Sequence, residues 1–232
     1  IEMLHAYFLI IDDVQDRSLT RRANLSTYAY FEDYHKKNEL KGDPEQFGIS
    51  MALNAAGMGN HAAQMILANL NVDEQLKLKA LGITNRTSII TFHGQTKDIM
   101  NKYVSEITED DIKKVMEWKT ANYSVINPLH VGMVLAGAEC EDTDAITEYG
   151  TNVGKAYQLI NDYEGIFSVV LDDNFKSSDI CEGNNTLLIW LALRDAKKID
   201  SNFLADSLGS RRLSKAEFMR CREIIINSGA VN

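Results

Sequence analysis

Residues Glu2 to Arg22 read EMLHAYFLIIDDVQDRSLTRR. From Ile1 to Ile11 the only acid is Glu2, and the near-continuous apolar character predicts a buried helix. That helix runs into Asp12, Asp13 and Asp16, and three acids at the end of an apolar helix need a reason to be together. Asp12 and Asp16 are four apart, so on a continuing helix both carboxylates leave one face, about 5–6 Å apart at Cβ. Hard oxygen ligands in such a pair suit Mg²⁺, which keeps waters and takes its remaining ligands from phosphates. Arg21 and Arg22 follow with planar forks for phosphate oxygens. DDVQD alone reads as a solvated helix end. Placed after an apolar helix and before paired arginines, it reads as a site for metal-bound pyrophosphate.

Composition sets the outer bounds. At 232 residues and 45% hydrophobic content, the chain can bury one substantial core as a single large domain. Two prolines against long apolar-periodic stretches favour helix almost throughout. A net charge of −9 argues against a nucleic-acid surface. Cys140, Cys181 and Cys221 are odd in number and widely spaced, which fits a reducing compartment better than a disulfide scaffold. No run is long and apolar enough to cross a bilayer. Ile1 falls inside an apparent helix, so the true N-terminus is expected to lie outside this chain, where a targeting segment would be invisible.

Helix signals recur along the chain without a linker. Asp43-Pro44-Glu45-Gln46 predicts an N-cap, a proline at the first helical position and a capping-box partner, opening a helix through Asn54 towards Leu70. Thr108 with Asp111 and Ser214 with Glu217 predict two more helix starts. Ile146, Tyr149, Val153, Tyr157 and Ile160 recur at steps of three and four, predicting a buried helix face that leads into Asn161-Asp162. Segment 23–42 is polar and aperiodic, and reads as a loop with room for a short helix. Met51, Met58 and Met65, at seven-residue steps, read as helix packing. His5 reads as a core histidine, while His61, His93 and His130 lack metal-type spacing.

The run Glu2–Arg22 resembles the first aspartate-rich motif of the trans-isoprenyl diphosphate synthases, specifically the farnesyl diphosphate synthase type. It shares the DDxxD pattern, the four intervening residues and the arginine pair, and family-like patches recur in order as far as about Leu188. The resemblance implies an all-α, single-domain helical bundle around a deep central cavity over residues 1–232, with N-terminal helices outside the chain. It further implies Mg²⁺ as cofactor, a homodimer, and a cytoplasmic short-chain prenyltransferase that condenses an allylic prenyl diphosphate with isopentenyl diphosphate.

Site residues follow from the same resemblance. Asp12, Asp16, Asn161 and Asp162 are the implied metal ligands. Lys119-Thr120-Ala121-Asn122-Tyr123 resembles the family's KTAxY patch, in which the lysine contacts the allylic diphosphate and neighbouring oxygens face the developing cation. Groups aimed at charge that appears only on ionisation lower the barrier more than uniform binding does. Gly94-Gln95 with Asp98 matches a GQxxD pattern that sets Gln95 near the homoallylic substrate, although Gln95 equally reads as a satisfied polar group on a packed helix. Gln158, four before Asp162, is suited to the reaction centre. Arg21, Arg22 and Lys176 are implied diphosphate contacts, and Tyr7 and Phe8 an aromatic floor to the product tunnel.

The second acid motif departs from the pattern. DDxxD falls on Asn161-Asp162-Tyr163-Glu164-Gly165, so the first aspartate is Asn161 and the last is Gly165. An amide oxygen ligates Mg²⁺ without adding charge. Glu164 sits about 100° around a helix from the missing acid and offers partial compensation. Asp179 matches a position associated with the third metal through water. Phe175 occupies a usual lysine site with Lys176 next to it, Asn184 and Asn185 replace lysine, Ala23 replaces glycine, and Ala55 or Met58 stands at a usual aspartate. Three functions therefore remain open: condensation, which Arg22 and Gln95 favour; a family-derived terpene synthase that ionises and then quenches or cyclises the cation; and a non-catalytic partner subunit, for which the intact first motif has no use.

Overall fold

The computed structural model describes residues 1–22, 24–104, 106–138, 143–168, 178–210 and 212–232. These form α1 (Glu2–Asp16), α2 (Thr27–Lys37), α3 (Pro44–Ala68), α4 (Glu74–Asn101), α5 (Glu109–Val115), a π-helical stretch (Met116–Ile126), α6 (Asn127–Leu135), α7 (Thr143–Phe167), α8 (Asp179–Glu182), α9 (Leu187–Asp195), α10 (Lys198–Ser207) and α11 (Lys215–Asn227). A two-residue antiparallel ladder, β1 (Thr20–Arg21) on β2 (Asn24–Leu25), pairs Thr20 with Leu25 and Arg21 with Asn24. The fold is all-α. None of the described helices is long and apolar enough to cross a membrane. Its described residues divide into two compact units, Ile1–Thr87 with Asn127–Thr143, and Ser88–Ile126 with Asp144–Asn232.

In the first unit α1 and α2 pack on α3. Tyr28, Ala29 and Ala52 are buried at the junction, with Ile10, Val14 and Ile49 against them. The segment read as a loop with a short helix therefore holds an 11-residue helix, α2. Its apolar face is narrow, because only Tyr28, Ala29 and His35 are buried. The solvent side carries i,i+4 pairs, Lys36 with Glu32 at 2.5 Å and Lys37 with Asp33 at 2.7 Å, and those charges gave the segment its polar look. Asp43 caps α3 by accepting from the Glu45 backbone N–H at 3.0 Å, with Pro44 as the first helical residue. Gln46 turns to Ser50 Oγ at 3.2 Å instead of closing a capping box. Met58 and Met65 are exposed, so the seven-residue methionine step does not mark a packed face.

In the second unit α9, α10 and α11 pack on one another. The core holds Ile166, Ile180, Leu188, Ile189, Leu204, Phe218 and Ile225, together with the free thiols Cys181 and Cys221; Cys140 lies outside the described residues. Both expected capping boxes form. Thr108 Oγ1 accepts from the Asp111 N–H at 3.2 Å while Asp111 accepts from the Thr108 N–H at 3.0 Å, and Ser214 and Glu217 do the same at 3.3 and 2.8 Å. The α7 face is the reverse of the expectation. Tyr149, Val153, Tyr157 and Ile160 are exposed, and the buried positions are Gly150, Gly154, Asp162 and Ile166. A Cβ on Gly150 would overlap Ile126 and one on Gly154 would overlap Ala121, so the first half of the packed side of α7 is glycine, and large apolar side chains cannot fit there. The periodicity correctly marked one face of a helix and assigned the wrong face to the interior.

Candidate active site

Helix α1 ends where its acids are. Asp16 is its last residue, and Arg17 follows in the left-handed region at φ 53°. Three carboxylates thus crowd the negative end of the helix dipole with no basic residue in the last turn, an arrangement that repels itself unless cations are brought to it. Arg21, on β1, is the first such cation. Its Nε and Nη2 donate to Asp13 Oδ1 at 3.0 and 2.5 Å, and Nη2 is 3.6 Å from Asp12 Oδ2. Asp13 is buried; burial pushes its carboxyl above the ordinary aspartate value even though Arg21 pulls the other way. Asp12 and Asp16 are half-buried on the same helix end, as their spacing implied. Arg21 thus faces the middle aspartate, a pairing that the reading of Arg21 as a phosphate contact missed. Arg22 is exposed. Phe8 is buried and Tyr7 half-buried, their ring centroids 5.0 Å apart.

A second cluster forms wholly within the second unit, in a cleft of about 70 Å³ lined by Asp98, Lys119, Thr120, Gln158, Asp162, Asp179 and Asn184 among others. That volume suits an ion and a few waters, a head-group site and not a prenyl pocket. Lys119 and Thr120 reach it from the π-helical stretch, a local widening that recurs at functional sites and has no signature in this sequence. Gly94 makes the placement feasible: a Cβ there would overlap the Lys119 backbone, so only glycine lets α4 lie this close.

The polar groups of the cleft form one three-residue chain and two pairs. Thr120 Oγ1 donates to Gln158 Oε1 at 2.6 Å, and Gln158 Nε2 donates to Asp162 Oδ1 at 2.7 Å. Asn184 Nδ2 donates to Asp179 Oδ1 at 2.7 Å. Lys119 Nζ is held by Asp98 Oδ2 at 2.7 Å. Burial is the main reason both carboxyls lie above the ordinary aspartate value: it pushes Asp162 up to about 6, and, with the Asp162 charge adding to it, Asp179 up to about 7. The sequence-derived set Lys119, Thr120, Gln158 and Asp162 is therefore brought together. Asp98 and Asn184 were missed as members; the signal for Asp98 was its place in the GQxxD pattern. Gln95 is buried and already engaged within the fold. Asn161 is half-buried, Glu164 is exposed, and Lys176, Asp172 and Asp173 lie outside the described residues.

The donors fit a hard divalent cation. Two adjacent buried carboxyls repel each other when ionised, and Asn184 Oδ1 is buried without a hydrogen-bond donor among the described residues. Among those residues no three His, Cys, Asp or Glu side chains converge on one point.

A family model described as polyprenyl synthetase matches residues 1–225. The chain is 26% identical over 231 residues to a geranylgeranyl diphosphate synthase of Sulfolobus acidocaldarius, covering 97% of this chain and 64% of the relative. It is 24% identical over 222 residues to the farnesyl pyrophosphate synthase of Homo sapiens, covering 93% and 49%. Among solved structures, a geranylgeranyl pyrophosphate synthase from Corynebacterium glutamicum, complexed with isoprenyl diphosphate and magnesium, superposes with a TM-score of 0.90 at 29% identity, covering 99% of this chain and 65% of that one. The chain thus spans about half to just under two thirds of the length of these relatives.

Proposed function

The chain belongs to the polyprenyl synthetase family, and from that premise we propose that it is the core of a Mg²⁺-dependent short-chain trans-prenyltransferase. It joins an allylic prenyl diphosphate to isopentenyl diphosphate, as a cytoplasmic homodimer whose two units form one isoprenoid-synthase domain. The observation that carries the proposal is the chain of hydrogen bonds Thr120–Gln158–Asp162 beside Lys119 in one buried cleft. A structural core has no need of a lysine, an amide, a hydroxyl and two acids converging on a head-group-sized space.

In this reading Asp12, Asp16, Asn161 and Asp162 would hold Mg²⁺, which when bound would supply positive charge to offset that of the departing diphosphate. Lys119 binds the same diphosphate, with Asp98 fixing its ammonium until then. Thr120 orients the Gln158 amide, whose oxygen faces the allylic cation and stabilises charge present only after ionisation. Arg21, Arg22 and Lys176 are further diphosphate contacts, Gln95 belongs with isopentenyl diphosphate, and Tyr7 and Phe8 limit chain length. Names of relatives support the class: geranylgeranyl and farnesyl diphosphate synthases both occur among them.

Asn161 and Gly165 favour a second reading, a terpene synthase that ionises the same substrate without condensing it. Incubation of the protein with Mg²⁺ and geranyl or farnesyl diphosphate, with and without isopentenyl diphosphate, separates the alternatives. Longer diphosphates formed only with isopentenyl diphosphate support condensation. Diphosphate-free products formed in either case support the second reading, and no turnover supports a non-catalytic partner subunit.

A further inference from the structure

Two side chains from the later segment of the second unit hold the flanks of the connection between α4 and α5. Helix α4 closes at Asn101, and the last carbonyls of a helix have no partner within it. The Ile99 and Met100 carbonyls accept from the Lys102 and Tyr103 N–H groups, at 3.0 and 2.9 Å. The Asn101 carbonyl accepts instead from Asn185 Nδ2 at 2.8 Å, across 84 positions of sequence. At the other flank the Ile107 carbonyl, one residue before the Thr108 cap of α5, accepts from Trp190 Nε1 at 2.9 Å. Arg194 lies over the Trp190 ring, 5.0 Å from its centroid, and is itself held by Asp195 through two hydrogen bonds at 2.7 and 2.6 Å. The indole is thereby braced on α9.

These two bonds join the parts of the chain that line the cleft. Asp98, Lys119 and Thr120 come from the stretches on either side of the connection, and Asp162, Asp179, Asn184 and Asn185 from the later segment. Asn185 adjoins Asn184, which holds Asp179, and Asn101 lies three residues beyond Asp98, which holds Lys119. We infer that Asn185 and Trp190 are positioning residues: together they clasp α4 and α5 to the start of α9 and so set the separation between the Lys119–Asp98 pair and the Asp162–Asp179 pair. The inference rests on the diphosphate function proposed above, since that separation fits the cleft to its head group. Asn185, at a position where the resemblance expects lysine, is then no lost diphosphate contact, because its amide is engaged at a helix end. Trp190 is not part of the described cleft lining, so it acts on the head group only through the entry to α5.

Calorimetric titration of the whole chain with Mg²⁺ and inorganic pyrophosphate, paired with hydrogen–deuterium exchange read by mass spectrometry, tests this without reference to turnover. Trp190→Phe keeps a ring beneath Arg194 and removes the N–H, while Asn185→Leu keeps the approximate size and removes the amide. Each should weaken Mg²⁺-dependent pyrophosphate binding by about threefold to tenfold, the equilibrium equivalent of one neutral hydrogen bond. Exchange over the end of α4 should quicken in both, with α10 and α11 as protected as in the unaltered chain. Normal pyrophosphate binding by both variants, whatever their exchange, overturns the inference and leaves the proposed function standing. Weakened binding by Asn185→Leu with normal binding by Trp190→Phe also overturns it, since a direct contact from Asn185 explains that result. Faster exchange throughout the second unit overturns it too, because the bonds would then serve stability at large. Failure of the unaltered protein to bind pyrophosphate with Mg²⁺ overturns both the inference and the function.

Discussion

Arg21 closes on Asp13, with Nε at 3.0 Å and Nη2 at 2.5 Å from a single carboxylate oxygen. The Asp13 side chain is 4% exposed and that of Arg21 37%, so the acid is the fixed member and the arginine the positioned one. Asp13 thereby keeps a cation at the negative end of α1 and holds the guanidinium beside Asp12. Asp13→Asn keeps the shape and removes the charge. Because burial already works against the charged form, it should cost at most about 1.5 kcal/mol of stability, the low end for hydrogen bonds to charged groups, and raise KM for the allylic diphosphate more than it lowers kcat. Thermal unfolding and steady-state kinetics check this, and an unchanged Tm and KM would show the pair to be idle.

Asp12→Ala separates function from folding. Asp12 is half-buried in the last turn of α1, where a carboxylate opposes the helix dipole, so its removal should leave stability unchanged or raise it by about 0.3–1 kcal/mol. Turnover should fall by about 10²–10³-fold, the usual loss when a contact to developing transition-state charge is deleted. The measurement is product formation at saturating Mg²⁺ alongside Tm. Full turnover in this variant would remove the metal assignment of the first motif.

How much of this was legible in the sequence depends on what each signal physically encodes. Caps were readable because a capping box is local: Thr108 with Asp111 and Ser214 with Glu217 need only three residues and a hydroxyl. The Asp12–Asp16 arrangement and the gathering of Lys119, Thr120, Gln158 and Asp162 were readable through motif resemblance. The buried side of α7 was not, because Tyr149, Tyr157 and Ile160 outweigh Gly150 and Gly154 in any hydrophobic count, yet only the glycines fit against the π-helical stretch. Helix α2 hid behind its own surface ion pairs. The close approach of Asp179 to Gly165 was not legible either, since it joins residues 14 apart across a turn of the chain that no local pattern encodes.

Thr120→Val tests the orientation of Gln158. Thr120 is 5% exposed and its hydroxyl donates at 2.6 Å, so the near-isosteric valine removes one hydrogen bond from a half-buried amide without opening a cavity. The expected result is a roughly tenfold fall in kcat, equivalent to about 1.4 kcal/mol, with little change in KM. Thr120→Ser should retain most activity. Equal rates for Thr120→Val and the unaltered enzyme would leave Gln158 without a need for its partner.

The α5 cap gives a pH signature outside the acid clusters. Lys97 and the Thr108 hydroxyl and N–H hold the Asp111 carboxyl well below the usual carboxylate range. A depressed folded-state pKa contributes stability that is complete above the unfolded value and fades as pH falls below it. Asp111→Ala should therefore lower the denaturation midpoint at pH 7, and the difference from the unaltered chain should shrink below about pH 4. Because α5 packs on the stretch that carries Lys119 and Thr120, kcat should fall along with stability. A difference constant from pH 7 to pH 3 would contradict the assignment.

Product length tests the aromatic pair on α1. Tyr7 stands five residues before Asp12, about 7.5 Å back along the helix at 1.5 Å per residue, and Phe8 four residues before it. The two differ in what they can reveal. Phe8 is buried, so Phe8→Ser would cost about 3 kcal/mol or more as a large-to-small core change and would confuse unfolding with a longer tunnel. Tyr7 is half-buried and contacts the Phe8 ring with centroids 5.0 Å apart, so Tyr7→Ala opens space at smaller cost. With geranyl diphosphate, isopentenyl diphosphate and Mg²⁺, the unaltered enzyme is expected to stop at farnesyl diphosphate or shorter, and Tyr7→Ala to carry the chain at least one isoprene unit further. Chromatography of the dephosphorylated products reads the difference. If folded Tyr7→Ala gives the same products, another wall sets the length and Tyr7 belongs to the packing of α1 alone.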